Sequence, residues 1–261
     1  MSGRNAVTDH DSPRIALVTG ANKGIGYATV RRLGEMGLRV YLGARDENRG
    51  QEAERALRAE GLDVHAVRLD VTDEASIAAS AERIGEAEGH LDALVNNAGT
   101  GAPQAPPSRT SVHDVRRTYE TNVFGVIAVT NAMLPLLRRS GAARIVNVSS
   151  VLGSLTHAAA LEDPTGVFPP GVFPAVLDYN TSKAALNAVT ITYANELRAE
   201  GILVNAVSPG FVATDINGRR GHLTPEQGAR IPALLATLGD DGPTAAFVGE
   251  DGSPAGQRLA W

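Results

Sequence analysis

Residues 15–26 read Ile15-Ala16-Leu17-Val18-Thr19-Gly20-Ala21-Asn22-Lys23-Gly24-Ile25-Gly26, an unbroken apolar run that enters a glycine-rich turn and leaves it in a helical pattern continuing to Met36. Four consecutive apolar residues bounded by glycine fit a strand buried on both faces. Glycines let the backbone turn sharply and come close to an anion, and the free N–H groups at the start of the following helix offer donors at its positive end. A turn of this kind between a first strand and a first helix cradles the pyrophosphate of a dinucleotide.

The same rhythm extends outward. Runs rich in Val, Ile and Leu recur at 14–19, 38–43, 64–69, 91–96, 143–148 and 202–207, and helical spacing fills 25–36, 47–60, 74–86, 112–137 and 179–200. Alternation of strand and helix predicts an α/β, Rossmann-type, doubly wound and mainly parallel sheet with helices on both faces, forming a single domain over 14–261. Residues 1–13 are polar and read as a flexible tail. Two stretches break the pattern. The first, 151–178, holds the near-duplicates Gly166-Val167-Phe168-Pro169 and Gly171-Val172-Phe173-Pro174 and reads as an inserted loop too rich in proline for a helix. The second, 211–238, reads as a substrate-loop or lid region with a short helix beginning after Thr224-Pro225. A last edge strand is expected within 246–261.

Composition narrows the function. The 261 residues carry 24 Lys+Arg against 29 Asp+Glu, a formal charge of -5, so no positive field exists to gather nucleic acid. There is no cysteine, and the six histidines show no metal-ligand spacing, so no metal site is expected. The N-terminus lacks the apolar core of a signal peptide, and no run of about 18 apolar residues occurs. A cytoplasmic protein with no membrane partner is the expectation.

The turn is spaced TGxxxGxG, and in this it resembles the short-chain dehydrogenase/reductase family. Gly20, Asn22, Lys23, Gly24, Ile25 and Gly26 are its candidate cofactor-binding residues. The second strand ends in Gly43-Ala44-Arg45-Asp46. An acid at the strand end would accept from both ribose hydroxyls and repel a 2′-phosphate; Ala44 stands there instead. Arg45, Arg49 one helical turn on, and Lys23 are expected to converge on a phosphate, which selects NADP(H). Asp70-Val71 resembles the family's adenine contact, with a turn-capping role for Asp70 equally open. Asn97, Ala98 and Gly99 resemble its NNAG motif, whose asparagines could instead bond neighbouring strands. Pro209 and Gly210 resemble its PG motif, which implies that Val212 and Thr214 bind the nicotinamide carboxamide.

Tyr179 and Lys183 form YxxxK, whose i, i+4 spacing puts both side chains on one helix face. Ser149-Ser150 follows the fifth strand, and Asn122 lies within the long helical pattern before it. The order Asn122, Ser150, Tyr179, Lys183 matches the family's four catalytic positions. A ketone that accepts hydride builds negative charge on oxygen and needs a proton donor and a hydrogen-bond donor aimed there. Tyr179 would donate the proton and Ser150, or Ser149 as the lesser candidate, would hold the oxygen. An ammonium about 5 Å away is expected to lower the phenol by about two pKa units at an effective dielectric of about 20. The resemblance further implies that Lys183 bonds the nicotinamide ribose and Asn122 holds a water.

Family members of this length usually place about a dozen residues between the serine and the tyrosine; Ser150 and Tyr179 are separated by 28. That insertion, with Ala44-Arg45-Asp46-Glu47-Asn48-Arg49-Gly50, looks most like the carbonyl reductase branch, often monomeric, so monomer and homo-oligomer both stay open. Leu152, Leu155, Val167, Phe168, Val172 and Phe173 could form an apolar wall or pack the insert on its own domain. The expected activity is NADP(H)-dependent hydride transfer between the nicotinamide and a carbonyl or secondary alcohol substrate, with reduction of a bulky hydrophobic ketone or aldehyde foremost. Non-redox chemistry on the same scaffold and an NADP(H)-sensing regulatory role are the alternatives.

Overall fold

The computed structural model describes residues 13–101 and 105–261. Apart from Pro13, the expected tail lies outside the described residues.

Strands β1 (Ile15–Val18), β2 (Arg39–Ala44), β3 (Val64–Arg68), β4 (Ala93–Asn96), β5 (Arg144–Val148), β6 (Leu203–Ser208), β7 (Phe247–Gly249) and β8 (Gln257–Arg258) form one sheet among the described residues, in the order β3-β2-β1-β4-β5-β6-β7-β8. All neighbours are parallel except β7 and β8, so the expected terminal edge strand is an antiparallel pair. Chain order reverses at β1, with β2 and β3 on one side and β4 on the other. Such a switch point leaves a crevice at the strands' C-terminal ends, and the glycine turn lies there.

Helices cover both faces. Alternation along β1 sends Ala16 and Val18 into a core with Val30, Leu33, Leu57 and Ile231, while Ile15 and Leu17 enter a second core with Ile84, Met133, Leu137 and Leu197. The first core is closed by α1 (Gly24–Glu35), α2 (Glu47–Ala59) and α9 (Arg230–Ala236). The second is closed by α3 (Glu74–Glu88), α5 (Gly125–Leu137) and α7 (Leu177–Leu197). Asp46 and Asp73 cap α2 and α3 by accepting from first-turn N–H groups. No side chain caps α1, so its first-turn donors remain for a ligand.

Three expectations change. The helix expected over 112–137 is interrupted: α4 (Val112–Tyr119) is followed by a π turn over Glu120–Phe124 before α5 begins. A turn with one extra residue re-aims the side chains on it, and Asn122 sits on this one. By length and composition the combined stretch could cross a membrane, yet more than half of its most apolar 18-residue window is buried in the domain, as in a core helix. The insert is not wholly irregular, since a 3-10 turn at Val151–Gly153 and α6 (Leu155–Ala160) precede its prolines, which begin only at Pro164. The stretch 211–238 does not stand apart from the domain as a whole. Thr224 and Pro225 do start α8 (Pro225–Gly228), but α9 buries Ile231, Ala233 and Leu235 in the first core. The projecting part is the loop between Val212 and Leu223, whose neck is closed by a bridge between those two residues.

Candidate active site

The glycine turn is shaped by the strand beside it. Thr19, 1% exposed, accepts through Oγ1 from the N–H groups of Asn97 (3.0 Å) and Ala98 (2.9 Å). Asn97 Nδ2 donates in return to the carbonyls of Thr19 (2.8 Å) and Gly20 (3.1 Å). The space left is too small for a side chain: a Cβ on Gly20, already at φ +62, would lie 2.8 Å from Ala98 Cα, and one on Gly26 would meet the Asn97 amide. Asn96 bonds Thr130 and Asn147, and with Asn97 it serves the strand-bonding role left open above. An uncapped helix start, a backbone bared by glycine and an acid-free end of β2 fit a dinucleotide carrying a 2′-phosphate.

At the adenosine end the expected convergence of three cations is not what the structure has. Arg45 and Arg49 are both exposed beyond buried Ala44, with Arg49 Nε 3.7 Å from Asp46. Lys23 turns instead to Asp215, on the loop after β6, and pairs with it at 2.6 Å. Asp215 also takes Arg219 Nε at 3.3 Å, and the Lys23 ammonium, ahead of Arg219, holds the Asp215 carboxyl below its ordinary range. The loop lies close over the turn, for a Cβ on Gly24 would stand 3.5 Å from Thr214 Cγ2. Asp70 caps its own turn, accepting through Oδ1 from Thr72 N (3.0 Å) and Oγ1 (2.8 Å). Val71 is buried, and its carbonyl leaves no room for a Cβ on Gly125.

At the nicotinamide end the four candidate catalytic residues meet. Ser150 ends the extended segment after β5; its Oγ accepts from Leu152 N at 3.2 Å and acts on the Tyr179 phenol to lower its pKa. Ser149 instead donates to Asn187 Oδ1 at 2.6 Å. Lys183, 4% exposed, donates from Nζ to the Val148 carbonyl at 2.7 Å, and Nζ lies 5.6 Å from the Tyr179 ring centre. The turn after Ser150 is pressed onto α7, since a Cβ on Gly153 would fall 2.6 Å from the Lys183 carbonyl carbon. Asn122 is fully buried. Its Oδ1 accepts from Thr100 N, while Nδ2 donates to Thr100 O and to Ser182 Oγ. With its side chain so engaged, it fixes the loop after β4 against α7.

The expected lowering of Tyr179 by Lys183 is reversed. Burial strips water from the phenolate and pushes the phenol up to about 12, against a smaller opposing effect of Ser150. The same burial pushes the Lys183 ammonium down to about 8. Desolvation of both groups outweighs their attraction across 5.6 Å.

Apolar features lie on the segments that precede and follow these residues in the chain. A groove of about 460 Å³ runs between Ala105, Pro106 and Pro107 after β4 and Pro174, Ala175 and Val176 before α7. In the insert, Phe168 meets Phe211, with ring centres 6.5 Å apart, and Phe211 meets His222 at 6.2 Å. Of the other expected wall residues, Leu152 packs with Val151, Phe247 and Trp261, while Leu155 and Val172 face solvent at 71% and 48% exposure. Thr19, Ser182, Phe211 and Asp215 are site residues that the sequence reading did not single out. Thr19 and Phe211 were findable as direct neighbours of Gly20 and Gly210, but Asp215 has no local signal.

A family model described as "short chain dehydrogenase" matches residues 14–161, and one described as "Enoyl-(Acyl carrier protein) reductase" matches 170–248. Carbonyl reductase (NADPH) 1 of Homo sapiens is 35% identical over 269 residues, covering 90% of this chain and 96% of that protein. The (+)-neomenthol dehydrogenase of Arabidopsis thaliana is 36% identical over 278 residues, covering 87% and 93%. Among solved structures, NADPH-bound carbonyl reductase from chicken fatty liver superposes with a TM-score of 0.81 at 29% identity, over 95% of this chain and 99% of that one.

Proposed function

Because the chain belongs to the short-chain dehydrogenase/reductase family and is an NADP(H)-dependent oxidoreductase, we propose that it reduces bulky, apolar ketones or aldehydes to alcohols through Asn122, Ser150, Tyr179 and Lys183. The observation that carries this reading is the buried Lys183 with its Nζ 5.6 Å from the Tyr179 ring, on whose phenol Ser150 also acts. In this reading the N–H groups of Gly24, Ile25 and Gly26 take the pyrophosphate, with Asn22 in the same turn. Arg45 and Arg49 take the 2′-phosphate, with Lys23 available to it once released from Asp215. Asp70 and Val71 flank the adenine, and Asn97, Ala98 and Gly99 let the cofactor pass close to the backbone. Pro209 and Gly210 lead into Val212 and Thr214 at the carboxamide. When bound, NADPH supplies the hydride.

The residues do the rest. Ser150 donates a hydrogen bond to the substrate oxygen, and Tyr179 donates its phenolic proton to the same atom, so that hydride on carbon and proton on oxygen make the alcohol. A phenol held up to about 12 is protonated throughout the neutral range, the form reduction requires. The alkoxide is a stronger base than the phenolate, so the transfer still runs downhill. The phenolate left behind forms next to Lys183, which repays part of the ammonium's desolvation. The apolar groove at Ala105–Pro107 and Pro174–Val176 and the ring of Phe168 support an apolar substrate body.

The test follows NADPH absorbance with purified protein and a panel of large and small carbonyl compounds, with Tyr179→Phe beside wild type. The expected result is consumption by wild type that falls by about 10²-fold or more in the variant while NADPH still binds. Conversion of a substrate without NADPH consumption, or tight binding without turnover of any panel member, would overturn the reading.

A further inference from the structure

Asp163 lies in the insert, exposes no catalytic chemistry to the cleft, and is absent from the machinery described above. Its carboxylate nonetheless takes four hydrogen bonds. Oδ1 accepts from Thr165 N at 2.9 Å and Thr165 Oγ1 at 2.5 Å, and Oδ2 accepts from Val167 N at 2.8 Å and Phe168 N at 2.9 Å. Gly166, at φ +69, lets the chain fold back around the carboxylate, and its N–H bonds the Asp163 carbonyl. Pro164 is tied to β8 through Gln257. A charged acceptor shared by several N–H donors holds a loop more firmly than neutral bonds do.

What this clamp presents is Phe168. Its ring packs on Phe211 at an interplanar angle of 52°, and Phe211 packs on His222 at 56°. Phe211 stands between Gly210 and Val212, which the proposed function puts at the carboxamide, and its carbonyl is pinned by Leu223 N at 3.1 Å. The insert and the loop after β6 therefore meet ring to ring. Phe168 has no regular element of its own to hold it, since it lies between α6 and α7 among prolines and glycines.

We propose that Asp163 is a positioning residue for substrate selection. Its carboxylate fixes Phe168 against Phe211 so that the two rings form a rigid wall favouring carbonyl compounds with a flat or fused-ring apolar body over short open-chain ones. The inference rests on the reading of the cleft as a carbonyl-substrate site. A rigid ring pre-placed beside the carbonyl gains contact area without an ordering cost at binding; a loose one must be ordered each time.

The test uses the NADP⁺-loaded protein and four variants: Asp163→Ala, Asp163→Asn, Phe168→Ala and the Asp163→Ala/Phe168→Ala double variant. Calorimetry measures binding of 1-acetylnaphthalene, steady-state kinetics compares it with butanone, and hydrogen exchange reads the 165–168 amides. The expected result is about 10-fold weaker binding in Asp163→Ala and in Phe168→Ala, with no further loss in the double variant. In Asp163→Ala, KM for 1-acetylnaphthalene should rise with kcat changed less than about twofold, and KM for butanone should rise much less. Asp163→Asn keeps one acceptor oxygen and should fall between, which separates positioning from misfolding. The Val167 and Phe168 amides should lose protection in Asp163→Ala. Unchanged binding, retained protection, an additive double variant, or equal losses for both ketones would overturn the proposal, as would failure of the wild type to bind 1-acetylnaphthalene. Binding with the expected variant pattern but no NADPH turnover would instead sink the proposed function and leave the wall in place.

Discussion

Lys183→Met should make the fold more stable at pH 7 while removing turnover. The lysine is 4% exposed, and its burial takes the ammonium from the ordinary 10.5 down to about 8. That drop corresponds to about 3 kcal/mol of folding stability forgone wherever the group is charged in both states. Between pH 8 and 10.5 the unfolded chain holds the proton and the folded one does not, so stability rises with pH across that window. Methionine matches the stem and carries no charge, but it leaves the Val148 carbonyl, now accepting at 2.7 Å, without its donor. Losing that bond costs about 1 kcal/mol. The net gain of about 2 kcal/mol at pH 7 translates into a melting temperature higher by roughly 4–8 °C for a domain of this size. By about pH 10.5 the wild-type group is largely neutral in the fold, and the gain should vanish or change sign. The assay is thermal unfolding of cofactor-free wild type and variant followed by circular dichroism at pH 7 and at pH 10.5, with NADPH consumption measured alongside. Other groups that titrate in the range cancel in the difference. A variant that melts below wild type at pH 7, or a gain of equal size at both pH values, would refute the reasoning that desolvation of Lys183 dominates.

Other outcomes follow from the same geometry. Arg45→Asp should weaken NADPH by about 10–100-fold, the worth of a charge-assisted contact, and NADH far less, as read by fluorescence titration; equal losses would remove Arg45 from the phosphate site. Thr19→Val strips the acceptor from the Asn97 and Ala98 N–H groups and should cost about 2–4 kcal/mol in urea unfolding, whereas Thr19→Ser should stay close to wild type. Gly26→Ala should reduce NADPH affinity more than it reduces stability, since the turn must shift away from Asn97 to make room; unaltered titration would show that the turn tolerates the shift.

The elements and their order were legible from residue type alone. A strand buried on both faces must be apolar throughout, a helix lying on a sheet must be apolar at every third or fourth position, and these local requirements mark six of the strands and the main helices, together with the glycine turn and the Thr224-Pro225 helix start. The candidate set was also legible as a group, because the order and spacing of Asn122, Ser150, Tyr179 and Lys183 match a known pattern and the fold brings the four segments together. The π turn at Asn122 was not legible: it answers to hydrogen bonds from Asn122 to Thr100 and Ser182, residues far away in the chain. The partner of Lys23 was misjudged for the same reason, as 192 positions separate it from Asp215.

Ionisation shows the boundary most clearly. Sequence spacing puts a cation near the Tyr179 phenol and so suggests a lowered pKa, but the sign depends on how much water each group loses. Water loss is set by everything packed around the pair, including Gly153 pressed on the Lys183 backbone and the Val148 carbonyl at its ammonium. The identity and order of the reacting groups are therefore properties of the chain, since they follow from periodicity and short spacings. Their protonation, the hydrogen bond of Ser149 to Asn187, and the meeting of Phe168 with Phe211 are properties of the tertiary structure, because burial and long-range contact exist only once the sheet has brought distant segments together.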